Sequence, residues 1–218
     1  MRPGIQWGRG GLAMLLLSTV ACQKAEPPAA APAAQEVAAA PVQPGSEQVL
    51  GRIHVPEVPL VDQDGKPVHL QKDFIQDRVV VMNFVFTRCT TICPPLGVGF
   101  SRLQALLGEQ VGKQVQLVSV SLDPTYDTPE VLRAWGDKFG RGPGWTLMTG
   151  AKEDVDTVLK ALKVYTAAKE QHAPIVLVGN GVSGEWVRVH GLASPVRLKA
   201  VVDRVLAQGA GNPQVVER

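Results

Sequence analysis

The sequence lacks an excess of charge of either sign: 22 Lys plus Arg stand against 20 Asp plus Glu in 218 residues. Two of those cations, Arg2 and Arg9, fall in a segment expected to be removed, which leaves no net charge before histidine is counted. With no basic stripe to neutralise phosphates, nucleic-acid binding is not expected. No internal repeat is visible. The length suits one good-sized domain with appendages.

The N-terminal apolar run, opening at Leu12-Ala13-Met14-Leu15-Leu16-Leu17 and ending at Val20-Ala21-Cys22, is also limited. It falls short of the about 20 residues a bilayer-spanning helix takes, and it has the length of a signal-peptide core. Residues 1–22 therefore read as an export signal. A cysteine directly after small residues resembles a bacterial lipobox, in which Cys22 would carry lipid and become the mature N-terminus. The alternatives are an ordinary signal peptide cut near Ala21 or an uncleaved short anchor. From residue 23 to about 47 the chain is Ala- and Pro-rich, buries nothing, and reads as an extended tether that holds the domain off a membrane, inner or outer, on the periplasmic side of a bacterial envelope.

Cysteine is scarce. The sequence has three, and with Cys22 assigned to lipid only Cys89 and Cys93 remain, in an oxidising compartment. Two cysteines this close cannot staple distant parts of the chain. They carry chemistry or form a local clip.

A globular domain is expected over 48–209, with a flexible tail over 210–218. Val58-Pro59-Leu60-Val61 and Val68-His69-Leu70, around Asp64-Gly65, predict a hairpin. Val79 to Phe86 is a continuous, β-branched apolar run, as in a strand buried on both faces. Leu96, Phe100, Leu103, Leu106 and Leu107 follow at helical spacing, and Val115 to Val120 is a second buried strand. Thr128-Pro129 starts a helix with Val131, Leu132, Trp135 and Phe139 inward. Val155, Val158, Leu159 and Leu162 mark another helix. Ile175–Val178 and Glu185–Val189 predict a strand pair, with Trp186 partly exposed, and Val201, Val202, Val205 and Leu206 a closing helix. This order predicts an α/β domain with a mixed sheet covered on both faces.

The segment Phe86-Thr87-Arg88-Cys89-Thr90-Thr91-Ile92-Cys93-Pro94-Pro95 sits where the first buried strand gives way to a helix, the usual ligand position of open α/β sheets. Unpaired N–H groups and the positive dipole end favour a thiolate there, and Arg88 adds charge. Cysteines four apart share one face of the first turn, so both sulfurs can reach one ion or form a disulfide. The spacing alone admits a metal site, a redox dithiol or a structural clip.

These residues, with Ser121-Leu122-Asp123-Pro124, Asp127-Thr128-Pro129 and a His before a late apolar strand, resemble the Sco/SenC family of copper chaperones for cytochrome c oxidase. The likeness covers about Val55 to Ala207. It implies a thioredoxin-like fold and one copper ion, as Cu(I) or Cu(II), held by Cys89, Cys93 and His172. Two thiolates and an imidazole suit Cu(I), although zinc accepts the same donors. The implied partners are oxidase subunit II, whose copper A centre receives the metal, and another periplasmic copper donor. Gln171 and Ala173 replace the family's Asp and Ser around the histidine. Pro174 stands where thioredoxin-class oxidoreductases carry a cis-proline; a trans proline opening the strand is the alternative.

Asp123 is expected near the metal or at the partner surface, and Asp127 in either that role or helix capping. His54, His69 and His190 are read as structural or solvated. An alternative function is a thiol–disulfide oxidoreductase in which Cys89 and Cys93 are catalytic and reduce the target's cysteines. A thiol peroxidase is disfavoured, because Phe86 occupies the place where such enzymes carry Thr.

Overall fold

The structure, a computed structural model, describes residues 43–210. The export segment with Cys22, almost all of the tether and the C-terminal tail lie outside the described residues.

In chain order the strands and α-helices are β1 (Glu47–Arg52), β2 (Leu60–Asp62), β3 (Pro67–Val68), β4 (Val79–Val85), α1 (Cys93–Leu107), β5 (Val115–Ser121), α2 (Pro129–Lys138), β6 (Trp145–Gly150), α3 (Lys152–Ala161), β7 (Ile175–Asn180), β8 (Glu185–His190) and α4 (Pro195–Ala210), with a short π-helical segment, Leu70–Ile75, after β3 where the sequence reading continued the hairpin strand to Leu70. One sheet takes all the strands in the order β1-β8-β7-β4-β5-β6-β2-β3. β4 runs parallel to β5 and antiparallel to β7, so the sheet is mixed, as expected. Among the described residues no helix is long and apolar enough to cross a membrane.

β4 sits mid-sheet because all seven of its residues are apolar or neutral, and every one is buried. Its side chains alternate between faces. Val79, Val81 and Val85 join a core with α1, α2 and α4, whereas Val80, Met82 and Phe84 join a second core with α3. Each such fully buried side chain contributes about 1.5–3 kcal/mol of transfer free energy, so this strand is the anchor of the fold.

Local signals behave as read. Asp62 Oδ1 accepts the N–H groups of Asp64 and Lys66 at 2.8 and 2.9 Å, and Gly65 takes a φ of 76°, which closes the β2–β3 hairpin. Thr128 caps α2, its Oγ1 accepting the Val131 N–H at 3.4 Å, with Pro129 in the first turn. Trp135 lies in the core and packs on Phe139 at 4.6 Å between ring centroids.

Four details differ from the sequence reading. β1 and β6 are additional strands. Pairing begins before residue 48: Gly45 N–H donates to the His190 carbonyl at 2.5 Å, and Glu47 ion-pairs with Arg197 and Arg204 of α4. Leu106 is 44 % exposed, on the outer face of α1. Trp186 is 1 % exposed rather than partly open, because its cross-strand neighbour is Gly179. A Cβ there would stand 2.7 Å from the indole carbons, so the missing side chain makes the space that the ring fills.

Candidate functional site

Chain geometry puts Cys89 and Cys93 at the carboxyl end of β4. The strand stops after Val85, a turn closes with Cys89 N–H donating to the Phe86 carbonyl at 3.0 Å, and Cys93 opens α1 with Pro94 and Pro95 in its first turn. Proline is tolerated there because the first N–H groups of a helix have no partner within it. The Cys93 N–H instead points at Cys89 Sγ, 3.4 Å away, and Thr91 Oγ1 lies 3.6 Å from the same sulfur.

The two thiols are unequal. Partial burial opposes ionisation of Cys89, but hydrogen bonds from the Cys93 side chain, its N–H and Thr91 outweigh burial and bring the thiol down to about 7. Cys93 is fully buried, and burial, reinforced by the Cys89 sulfur and the Asp127 charge, pushes its thiol up to about 12. Both thiols are free. Cys89 borders an open cleft of about 300 Å³ lined by Phe86, Arg88, Thr91 and Ile92 on one side and by Lys169 and Glu170 on the other.

Lys169 and Glu170 belong to the loop that carries His172. A short 3₁₀ turn, Lys169–Gln171, precedes the histidine, whose N–H donates to the Lys169 carbonyl at 3.1 Å. The imidazole is 6 % exposed and meets the Phe84 ring edge-on at 6.2 Å. Burial brings its pKa down to about 4, and Nε2 has no hydrogen-bond partner. Phe84 faces the α3 side of the sheet, while Cys89 and Cys93 pack on the α1 side. Among the described residues, therefore, no three His, Cys, Asp or Glu side chains stand together closely enough to hold a metal ion. The structure brings the sulfurs together and the histidine loop over their cleft, with the ring turned to the other face.

Asp127 does not cap α2; Thr128 does. Its buried carboxylate accepts Thr87 Oγ1 at 2.6 Å, Thr87 N–H at 3.2 Å and Ser121 Oγ at 2.7 Å, tying the cysteine turn to the end of β5. Burial raises its pKa, partly offset by the Thr87 and Ser121 hydrogen bonds. Asp123 pairs with Arg88 at 2.9 Å and Lys169 at 3.2 Å. Burial works against its charge, but these two cations and Thr125 hold its pKa below the usual carboxylate range. Sequence reasoning missed Thr87, Arg88's partner and Lys169; the alternation of acidic and basic residues on separate loops gave no periodic signal. His69 is exposed with Glu57 at 3.5 Å, and His190 ends β8.

A dithiol at a strand-to-helix junction of a mixed sheet defines a protein of the thioredoxin-like class. The profile of the SCO1/SenC family matches residues 51–178, and the chain belongs to that family. It is 32% identical over 108 residues to a Stutzerimonas stutzeri protein named for copper binding, spanning 50% of this chain and 51% of that one. It is 30% identical over 118 residues to the SCO1 protein homolog of Bacillus subtilis (strain 168), spanning 53% and 60%. The chain thus spans only about half to three-fifths of these relatives' length. A solved SCO1/SenC family lipoprotein of Bacillus anthracis str. Ames superposes with a TM-score of 0.61 at 26% identity, covering 75% of this chain and 98% of that one.

Proposed function

We propose that this chain is a metallochaperone that binds one copper ion through Cys89, Cys93 and His172 and delivers it to the copper A centre of cytochrome c oxidase subunit II. One observation carries the reading: a sulfur with its pKa near 7 lies in an open cleft beneath the loop of a buried imidazole whose Nε2 has no partner. A buried nitrogen lone pair without a donor is costly, and a metal ion satisfies it as a hydrogen-bond donor would. The donor set of two sulfurs and one imidazole fits a soft cation. Cys89 borders the open cleft, so a donor from a receiving protein can reach an ion held there from that side, which is what transfer by ligand exchange needs.

The reading extends to the membrane. Cys22 would carry the lipid, the Ala/Pro-rich tether would hold the domain on the periplasmic side of a bacterial envelope, and a second periplasmic protein would donate the copper. The family membership and the lipoprotein among its structural relatives support this placement.

Titration of the reduced domain with Cu(I), against a chromophoric competitor, tests the reading. One-to-one binding is expected in the wild-type protein and its loss in Cys89→Ser with the fold retained; unchanged binding in that variant rejects it. The unequal acidity of the thiols also suits disulfide exchange, with Cys89 attacking and Cys93 resolving. His172 separates the two. Copper affinity depends on it, whereas a disulfide-reductase assay on His172→Ala keeps its rate if exchange is the function.

A further inference from the structure

The two loops of the site share a single carboxylate. Asp123 is 4 % exposed. Its Oδ2 accepts Arg88 Nη2 at 2.9 Å and lies 3.2 Å from Lys169 Nζ, while Thr125 Oγ1 donates to Oδ1 at 3.1 Å. Its own N–H is held by Ser121 Oγ at 2.9 Å, so the carboxylate is fixed to the end of β5. Arg88 is the residue before Cys89 and lies over the Tyr126 ring at 4.3 Å. Lys169 begins the turn that ends in His172. A nearly buried carboxylate does not release both cations readily, because an unpaired buried charge is far worse than a paired one.

The histidine loop has few other holds. Arg188 Nη2 donates to the Lys163 carbonyl at 2.7 Å at its start, and the Thr166 hydroxyl bonds within the loop at 3.0 Å. From Thr166 to His172, among the described residues, Lys169–Asp123 is the only ion pair or side-chain hydrogen bond to the rest of the fold. The imidazole itself is seated against Phe84. For its nitrogen to reach the sulfurs, the ring must turn from the α3 side to the α1 side of the sheet while the loop stays over the cleft.

We infer that Asp123 is a positioning residue for metal capture, acting through Lys169 to keep the His172 loop above Cys89 while the imidazole moves from Phe84 to the sulfurs. This inference rests on the copper-binding reading. It also gives Arg88 a purpose: it closes the same clasp from the cysteine side.

Two measurements on the reduced protein test it. In the metal-free state, hydrogen exchange over 166–172 rises in Asp123→Asn and in Lys169→Ala, while exchange in β4 and β5 stays as in the wild type. Cu(I) affinity falls about 10–100-fold in Asp123→Asn at unchanged stoichiometry, the range found when a residue supporting a metal ligand is removed, and Asp123→Glu recovers part of it. In a His172→Ala background the Asp123→Asn change brings no further loss. Unchanged loop exchange overturns the inference, as does an equal affinity loss in the His172→Ala background, which would mark Asp123 as a ligand itself or as a general support. Wild-type protein that binds no Cu(I) would remove the copper reading and this inference together, an outcome distinct from loss of the clasp alone.

Discussion

The backbone N–H of Cys93 points at the sulfur of Cys89 across 3.4 Å, so one cysteine stabilises the charge of the other. The arrangement separates two thiols that differ by four positions into an acidic one beside an open cleft and a reluctant one in the core. In reduced, metal-free protein, alkylation by iodoacetamide should fall almost wholly on Cys89, with a rate that rises through a midpoint near pH 7. Peptide mapping across pH 5–9 checks this. Equal labelling of Cys93 below pH 9 would contradict the geometry.

Asp127 gathers three hydrogen bonds in a site closed to solvent. Asp127→Ala leaves the donors of Thr87 and Ser121 without a partner, and each unmet buried donor costs about 1–3 kcal/mol. Urea unfolding should show a loss of about 3 kcal/mol or more, with the turn before Cys89 loosened. A loss below about 1 kcal/mol would mean that water replaces the carboxylate.

His172 makes the metal-free fold acid-sensitive. Its folded pKa, about 4, lies below its unfolded value of 6.5 because burial excludes the charged ring. The unfolded chain therefore takes up the proton first, and stability that is complete above pH 6.5 is lost as the pH falls toward 4. The loss is of the order of 3 kcal/mol. His172→Leu should flatten this part of the stability–pH curve, measured as the difference between variant and wild type in denaturant melts. Parallel curves would show that the ring takes up its proton as readily in the fold as in the unfolded chain.

Gly179→Ala tests the seat of Trp186. The added methyl would meet the indole at 2.7 Å between two hydrogen-bonded strands, where neither backbone can step aside. Overpacking of this kind costs about 1–3 kcal/mol. Thermal melting should drop accordingly, and Trp186→Leu in the same chain should recover much of it.

How much of this was legible in the sequence depends on the range of each interaction. The hairpin at Gly65, the Thr128-Pro129 start of α2 and the cysteine turn are encoded within a few neighbouring residues, and they stand where the residues put them. β1 went unseen because Glu47–Arg52 is an edge strand with little buried surface, so its sequence carries no clear two-residue period. β6, Trp145–Gly150, is a short segment with two threonines whose burial depends on β5 and β2 lying beside it. Trp186 was misread for the same reason: only the strand register reveals that a glycine faces it. The family resemblance pointed to the His172 loop, but which face of the sheet receives the ring is decided by Phe84. The Arg88–Asp123–Lys169 clasp joins three distant parts of the chain and has no local signature.

The place of β7 carries a consequence for assembly. The strand beneath the cysteines is covered on one edge by β5, which follows soon after, and on the other by β7, which arrives only near the end of the chain. A growing or incompletely threaded polypeptide therefore holds both thiols long before their platform is closed, and His172, the proposed third donor, comes just ahead of the closing strand. The final cradle cannot ripen in a fragment. Pairing across such a distance is slow to form, and it makes the proposed ion site one of the last parts of the molecule to become competent.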